Sequence, residues 1–197
     1  MFIQVIQGMC TDESMLRQHM DRWREELAPG AQGWLGGTYG MTDDGQFVAV
    51  VRFESREAAA RNSLRPEQGE WWAAASRCFD GEVSFHDCDD AIMMLDGGSD
   101  DAGFVQVIRG KVDDPSRLRA MMTDSRTLHE MRPDILGATL AVEPDGTYTE
   151  TVAFTDEDSA RKGEAVMPPD DVRADLEYAM QGATFYDLHH PWFETNR

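Results

Sequence analysis

Basic residues are scarce in this chain. Eighteen Lys and Arg stand against 37 Asp and Glu over 197 residues, a formal net charge of −19, and such a surface repels phosphate backbones and anionic lipid headgroups alike. Neither nucleic acid nor a membrane is an expected partner. The acidic residues form no long block, so they read as a solvated surface rather than a binding tail. Cysteine is also sparse: Cys10, Cys78 and Cys88 are odd in number and lack paired metal-ligand spacing, which fits a reduced, cytoplasmic compartment better than a disulfide scaffold. No stretch nears the roughly 18 uninterrupted apolar residues of a spanning helix. The opening MFIQVIQG alternates like a strand and has neither the basic region nor the apolar stretch of an export signal. GxGxxG, GxxxxGK(S/T) and GxSxG are absent, which removes the simplest dinucleotide, nucleotide and hydrolase readings. No cofactor is expected.

What is present is enough apolar material for a packed core, 41% hydrophobic and 9% aromatic, and it is present twice. Phe2, Gln4, Val5, Ile6 and Gly8 recur as Phe104, Gln106, Val107, Ile108 and Gly110. Leu16 and Met20 recur as Leu118 and Met122, Leu35, Gly36 and Thr38 as Leu136, Gly137 and Thr139, and Val51 and Phe53 as Val152 and Phe154. A matching order of segments along nearly the whole length marks an internal duplication. It divides the chain into a first repeat at 1–96, an acidic, glycine-rich linker at 97–102 and a second repeat at 103–197.

Local chemistry sets the elements of each repeat. Residues 2–7 alternate as a strand. Asp12 offers a helix N-cap, and Leu16, Met20, Trp23 and Leu27 form an apolar helical stripe that stops at Pro29-Gly30; Asp114-Pro115 opens the equivalent helix. Asp44-Gly45 and Asp145-Gly146 are hairpin turns joining 34–41 to 47–53 and 135–142 to 148–154. Ser55 caps the next helix, and Thr155 with Asp158 makes a capping-box pattern at the same place. Strands at 82–89 and 183–188 close the repeats. The result is an α+β fold of two β-α-β-β-α-β, ferredoxin-like repeats, each a four-stranded sheet with both helices on one face. Phe2 and Ile6 point to one side of the first strand and Ile3 and Val5 to the other, so both faces are apolar and the second face also needs cover. The other repeat supplies it most economically.

Duplication with two apolar faces resembles the dimeric α+β barrel superfamily, the antibiotic-biosynthesis-monooxygenase-like proteins, in a fused tandem form. The resemblance implies two repeats packed sheet to sheet as an intrachain barrel. It also implies a small apolar or aromatic molecule bound between the sheets, with cofactor-independent monooxygenation or isomerisation as the chemistry. A non-enzymatic structural or interaction module is the rival reading, and the chain is expected to be a monomer or a homodimer. The haem-degrading members share a strand asparagine, a helix tryptophan and an iron-ligating helix histidine. Here no histidine occurs between Asn62 and Phe79, which disfavours that branch.

Candidate site residues are those that break the apolar pattern. Gln4 and Gln106 lie mid-strand between Phe and Ile, where a buried carboxamide needs hydrogen-bond partners; they either bond within the protein, to each other included, or bind a ligand. Trp72 matches Arg173 and stands off the apolar stripe, while Trp71 and Trp34 match Val172 and Ile135 and read as core. Glu150 shares a strand face with Tyr148, Val152 and Phe154, where the first repeat has Ala49; desolvation there makes a general base, and a solvated edge makes a surface charge. His86 is carried with Asp87, Cys88, Asp89 and Asp90, opposite Asp187, His189 and His190 in the second repeat. Strand alternation splits that cluster between two faces, and no metal site is expected. His19 and His129 flank the helical stripe. The repeats diverge most where chemistry would sit, so any site is expected to be asymmetric.

Overall fold

The structure is a computed structural model that describes residues 1–123, 130–166 and 170–196. Among the described residues it contains ten strands in two five-stranded antiparallel sheets. In the first, β1 (Phe2–Cys10) lies between β3 (Gln46–Phe53) and β4 (Phe79–Cys88), and β2 (Trp34–Met41) flanks β3. In the second, β6 (Phe104–Lys111) lies between β8 (Thr147–Phe154) and β9 (Thr184–Leu188), and β7 (Ile135–Val142) flanks β8. The registers correspond: Phe2 pairs with Phe53 and Gln4 with Val51, as Phe104 pairs with Phe154 and Gln106 with Val152.

Each sheet gains a fifth strand that the sequence pattern does not announce. β5 (Asp90–Met94), the end of the first repeat, pairs with β7, and β10 (Trp192–Thr195), the end of the second, pairs with β2. The compact units are therefore Met1–Asp89 with Trp192–Arg197, and Asp90–Pro191, rather than blocks cut at 96 and 103. The repeated Leu-Gly pair explains how the extra strands fit. A Cβ on Gly36 would lie 2.5 Å from the Glu194 carbonyl oxygen, and one on Gly137 would lie 2.4 Å from the Gly98 backbone nitrogen. Only glycine leaves room for the exchanged segment, and the expected linker is packed chain at Gly98.

The helices follow their caps. Asp12 accepts the Met15 N–H at 2.9 Å and opens α1 (Glu13–Arg22), which runs on through a π turn at Trp23–Leu27 and a 3-10 turn at Ala28–Gly30. Ser55 accepts the Ala58 N–H and opens α2 (Arg56–Ser63). Pro66 removes an N–H and holds Arg65 extended, so a second helix, α3 (Pro66–Ala75), starts afresh. In the second repeat the corresponding helices are α4 (Pro115–Thr123), α5 (Glu157–Glu164) and α6 (Asp170–Met180). The cap of α5 is Asp156, whose carboxylate accepts the Ser159 N–H at 2.8 Å, rather than the Thr155/Asp158 pair. The helix starts one residue later than that pattern placed it, and a carboxylate at the N-cap also meets the positive end of the helix dipole.

In the first unit Leu16, Met20, Trp23 and Leu27 pack on Phe2, Trp34, Tyr39, Phe47 and Phe53. In the second, Leu118 and Met122 pack on Phe104, Ile108, Leu140 and Phe154. Residues of the opposite faces, Ile3, Val5, Val48 and Val50 in one sheet and Val105, Val107 and Leu188 in the other, are also buried. Among the described residues no helix is long and apolar enough to cross a membrane. His129 lies outside the described residues.

Candidate functional site

Alternation along β1 sends Phe2, Gln4 and Ile6 toward the helices, because Phe2 and Ile6 meet residues of α1, α2 and α3 in the core clusters. The same face of β2 carries Trp34 and Tyr39 and that of β3 carries Ala49 and Phe53. Opposite them stand Trp23 from α1's continuation, Asn62 from α2, and Gln68, Trp71 and Trp72 from α3. Between sheet and helices lies a cavity of about 280 Å³. It lies under the helices of the first unit, whereas the sequence reading put the ligand between two sheets; with both faces apolar, alternation alone could not choose the side.

The walls are aromatic. Trp72 sits over Phe85, an exposed residue of the edge strand β4, with ring centroids 5.1 Å apart, and against Trp71 at 6.1 Å. Trp23 meets Trp34 edge-on at 4.9 Å. Trp72 is thus part of a cavity wall, and Trp71, expected as core, lines the cavity too, its indole donating to the His19 carbonyl at 2.7 Å. Among the described residues no Asp, Glu, Lys, Arg or His lines this space. Tyr39 is the one ionisable lining side chain among the described residues, and burial raises the pKa of its phenol, so the hydroxyl stays protonated.

Polar contacts come from three carboxamides, each held by one end. Gln4 Nε2 donates to Asp87 Oδ1 at 2.8 Å, and Asp87 in turn pairs with Arg56 at 3.2 Å. Asn62, 7% exposed, accepts from Arg65 Nη1 at 2.9 Å, and the same guanidinium nitrogen donates to the Leu27 carbonyl. Gln68 Oε1 accepts from the Trp23 indole at 2.7 Å. Gln4 Oε1, Asn62 Nδ2 and Gln68 Nε2 have no partner among the described residues. Gln4 was legible in the sequence as a polar break in an apolar strand. Asn62 and Gln68 were not, since a polar residue on a helix is ordinary; in the repeat alignment Asn62 falls on Gly163.

The second unit uses the same positions differently. Gln106 Nε2 donates to Asp187 Oδ1 at 2.9 Å, and Arg161 pairs with Asp187 and with Glu164. Arg56 and Arg161 lie over Phe2 and Phe104 at 5.0 and 5.2 Å, so each repeat holds its glutamine with an Asp-Arg pair stacked on the first-strand phenylalanine. The two glutamines each bond within their own unit and not to each other. Glu150 lies on β8, an inner strand, opposite Ile108 and Leu140. It is no edge charge: its half-buried carboxyl has no hydrogen-bond partner among the described residues, and desolvation pushes its pKa up to about 7.

His86 pairs with Val5 on β4 and so belongs to the face opposite the cavity. Asp90, grouped with His86 and Cys88 by simple alternation, instead begins β5 and pairs with Arg119. His189 meets Glu157 at 2.8 Å. Of the five candidates, Gln4 and Trp72 come together at the cavity, Gln106 and Glu150 share the helix-side face of the other sheet, and His86 stands apart.

No protein-family model and no curated protein matches the chain. Solved structures do. A candidate monooxygenase of Fusobacterium nucleatum is similar over 99% of this chain and 94% of its own, with a TM-score of 0.77 at 12% identity. One from Lactobacillus acidophilus is similar over 98% of both chains, with a TM-score of 0.73 at 9% identity. An anthrone oxidase-like protein is similar over 96% of this chain and 92% of its own, at 0.65 and 10% identity. At such identities the likeness is one of fold, and it runs through both repeats. The chain has the duplicated ferredoxin-like fold of the antibiotic-biosynthesis-monooxygenase-like proteins.

Proposed function

We propose that the protein binds a small, neutral, largely aromatic molecule in the cavity of its first unit and acts on it as a cofactor-independent oxygenase or isomerase. The observation that carries this reading is the cavity itself: tryptophan walls, no charged side chain, and three carboxamides each with one end unpartnered among the described residues. Tryptophans and phenylalanines bury flat apolar ligands efficiently, and a few placed polar groups fix their orientation. The absence of a carboxylate or imidazole from the lining narrows the chemistry. The wall can desolvate and orient a ligand but offers it no general base, which suits a substrate that enolises readily and gives up its proton to solvent. The fold shared with monooxygenase-like proteins supports the oxygenase side of the proposal.

The anthrone oxidase-like neighbour makes anthrone a suitable probe. One dioxygen would convert its methylene to a carbonyl, one oxygen atom entering the product and the other leaving as water with the two methylene hydrogens. Oxygen uptake is measured with an electrode against the uncatalysed rate, and binding by quenching of intrinsic tryptophan fluorescence. Saturable quenching and enhanced uptake are expected in the native chain, with at least a ten-fold loss of affinity in Trp72→Ala. A flat response to anthrone and to smaller bicyclic aromatics sinks the reading and leaves the interaction module.

A further inference from the structure

The three cavity carboxamides are not interchangeable, because their neighbours fix which end faces inward. An ionised carboxylate only accepts, and an indole or guanidinium only donates. Asp87 therefore takes the Nε2 end of Gln4 and leaves Oε1 for the cavity. Arg65 takes Oδ1 of Asn62 and leaves Nδ2, and the Trp23 indole takes Oε1 of Gln68 and leaves Nε2. On the sheet side the cavity thus offers an acceptor at Gln4 beside the unpartnered indole N–H of Trp34, and on the helix side it offers donors at Asn62 and Gln68.

We infer that this first-unit cavity selects a neutral ligand carrying a hydroxyl donor toward Gln4 and a carbonyl or similar acceptor toward Asn62 and Gln68, with Asp87 as the positioning residue that sets the polarity of the sheet end. The inference deepens the ligand-binding reading and rests on it. The second unit supports it by contrast: Gly163 stands at the position of Asn62 there, so the helix-end donor is absent. The Asp87 side chain is 43% exposed and sits on an edge strand, so it can be changed without disturbing the core.

The test uses 6-hydroxy-1-tetralone, its methyl ether and 6-hydroxytetralin, near pH 6 where the phenols are neutral, with affinity read by fluorescence quenching in the full chain. The native protein is expected to bind the hydroxyketone about ten-fold more tightly than the methyl ether, one hydrogen bond's worth, and more tightly than 6-hydroxytetralin, which lacks the carbonyl. Gln4→Leu, near in volume, brings the first ratio to about one. Asp87→Lys replaces an acceptor by a donor, turns the Gln4 amide round and inverts the ratio in favour of the ether. Asn62→Asp weakens the preference for the ketone, leaving Gln68 as the remaining donor, and keeps the first ratio in place. A merely structural role for Asp87 would alter all affinities together and leave the ratios alone. Equal binding of phenol and ether by the native chain, or an unchanged ratio in Asp87→Lys with native circular dichroism, overturns the polarity assignment. No binding by any of the three overturns the ligand reading beneath it.

Discussion

The two units share a frame and differ in their interiors. Phe2, Gln4, Asp87 and Gly36 have counterparts in Phe104, Gln106, Asp187 and Gly137 that make the same pairings. Within that frame Ala49 faces Glu150's position, Asn62 faces Gly163's, and Trp72 faces Arg173's. All five tryptophans fall in the first compact unit, Trp192 by way of the exchanged strand. After duplication the backbone geometry was kept, and apolar volume and charge were sorted to opposite copies. A cavity with unpartnered amides lies in one and a desolvated carboxyl in the other.

The largest expected effect tests that sorting. With its pKa raised from 4.5 to about 7 in the folded protein, Glu150 binds its proton more tightly folded than unfolded. Its contribution is neutral below about 4.5, turns increasingly unfavourable as pH rises through the window to 7, and is fully unfavourable above it. Glu150→Gln should therefore stabilise the chain by about 3 kcal/mol near pH 8 and by almost nothing near pH 4, measured by urea unfolding at both pH values. An equal gain at both would mean that the carboxyl is not desolvated, and the contrast with Ala49 would lose its meaning.

Next in size are the exchanged strands. Trp192 stacks on Tyr39 at 5.9 Å beneath the Arg17 guanidinium at 3.8 Å, and Trp192→Ala is expected to cost about 2 kcal/mol. Ile92 on β5 is a smaller, half-buried residue packed against the second core, and Ile92→Ala should cost about 1 kcal/mol. Thermal melts that rank the two the other way would show that the second unit relies more on its borrowed strand. The caps match the smaller of these: Ser55→Ala and Asp156→Ala should each cost about 1 kcal/mol, and a clear inequality would separate two helices that the sequence presents as equivalents.

The duplication, the strand order within each repeat and the faces of β1 were legible because they rest on local periodicity and on identity between copies. The exchanged strands were not. Asp90–Met94 and Trp192–Thr195 are short and follow Asp- or His-rich turns, and such segments become strands only through a distant partner edge. The Leu-Gly repeat was visible as a match but acquired its reason, close approach of a foreign strand, only in three dimensions. Gln4 and Trp72 were found as breaks in a pattern. The side of the sheet on which Gln4 works could not be read where both faces are apolar, and Asn62 was hidden by the ordinariness of a polar helix residue.

The exchange of β5 and β10 has a consequence for the order in which the molecule can form. During synthesis the N-terminal sheet emerges with β2 as a bare edge, and the strand that covers it arrives about 150 residues later. The first half therefore waits, incomplete, for Trp192–Thr195. Emergence of that segment is the event that closes it, so a translation product that stopped before it would be left with an open, self-adhesive edge.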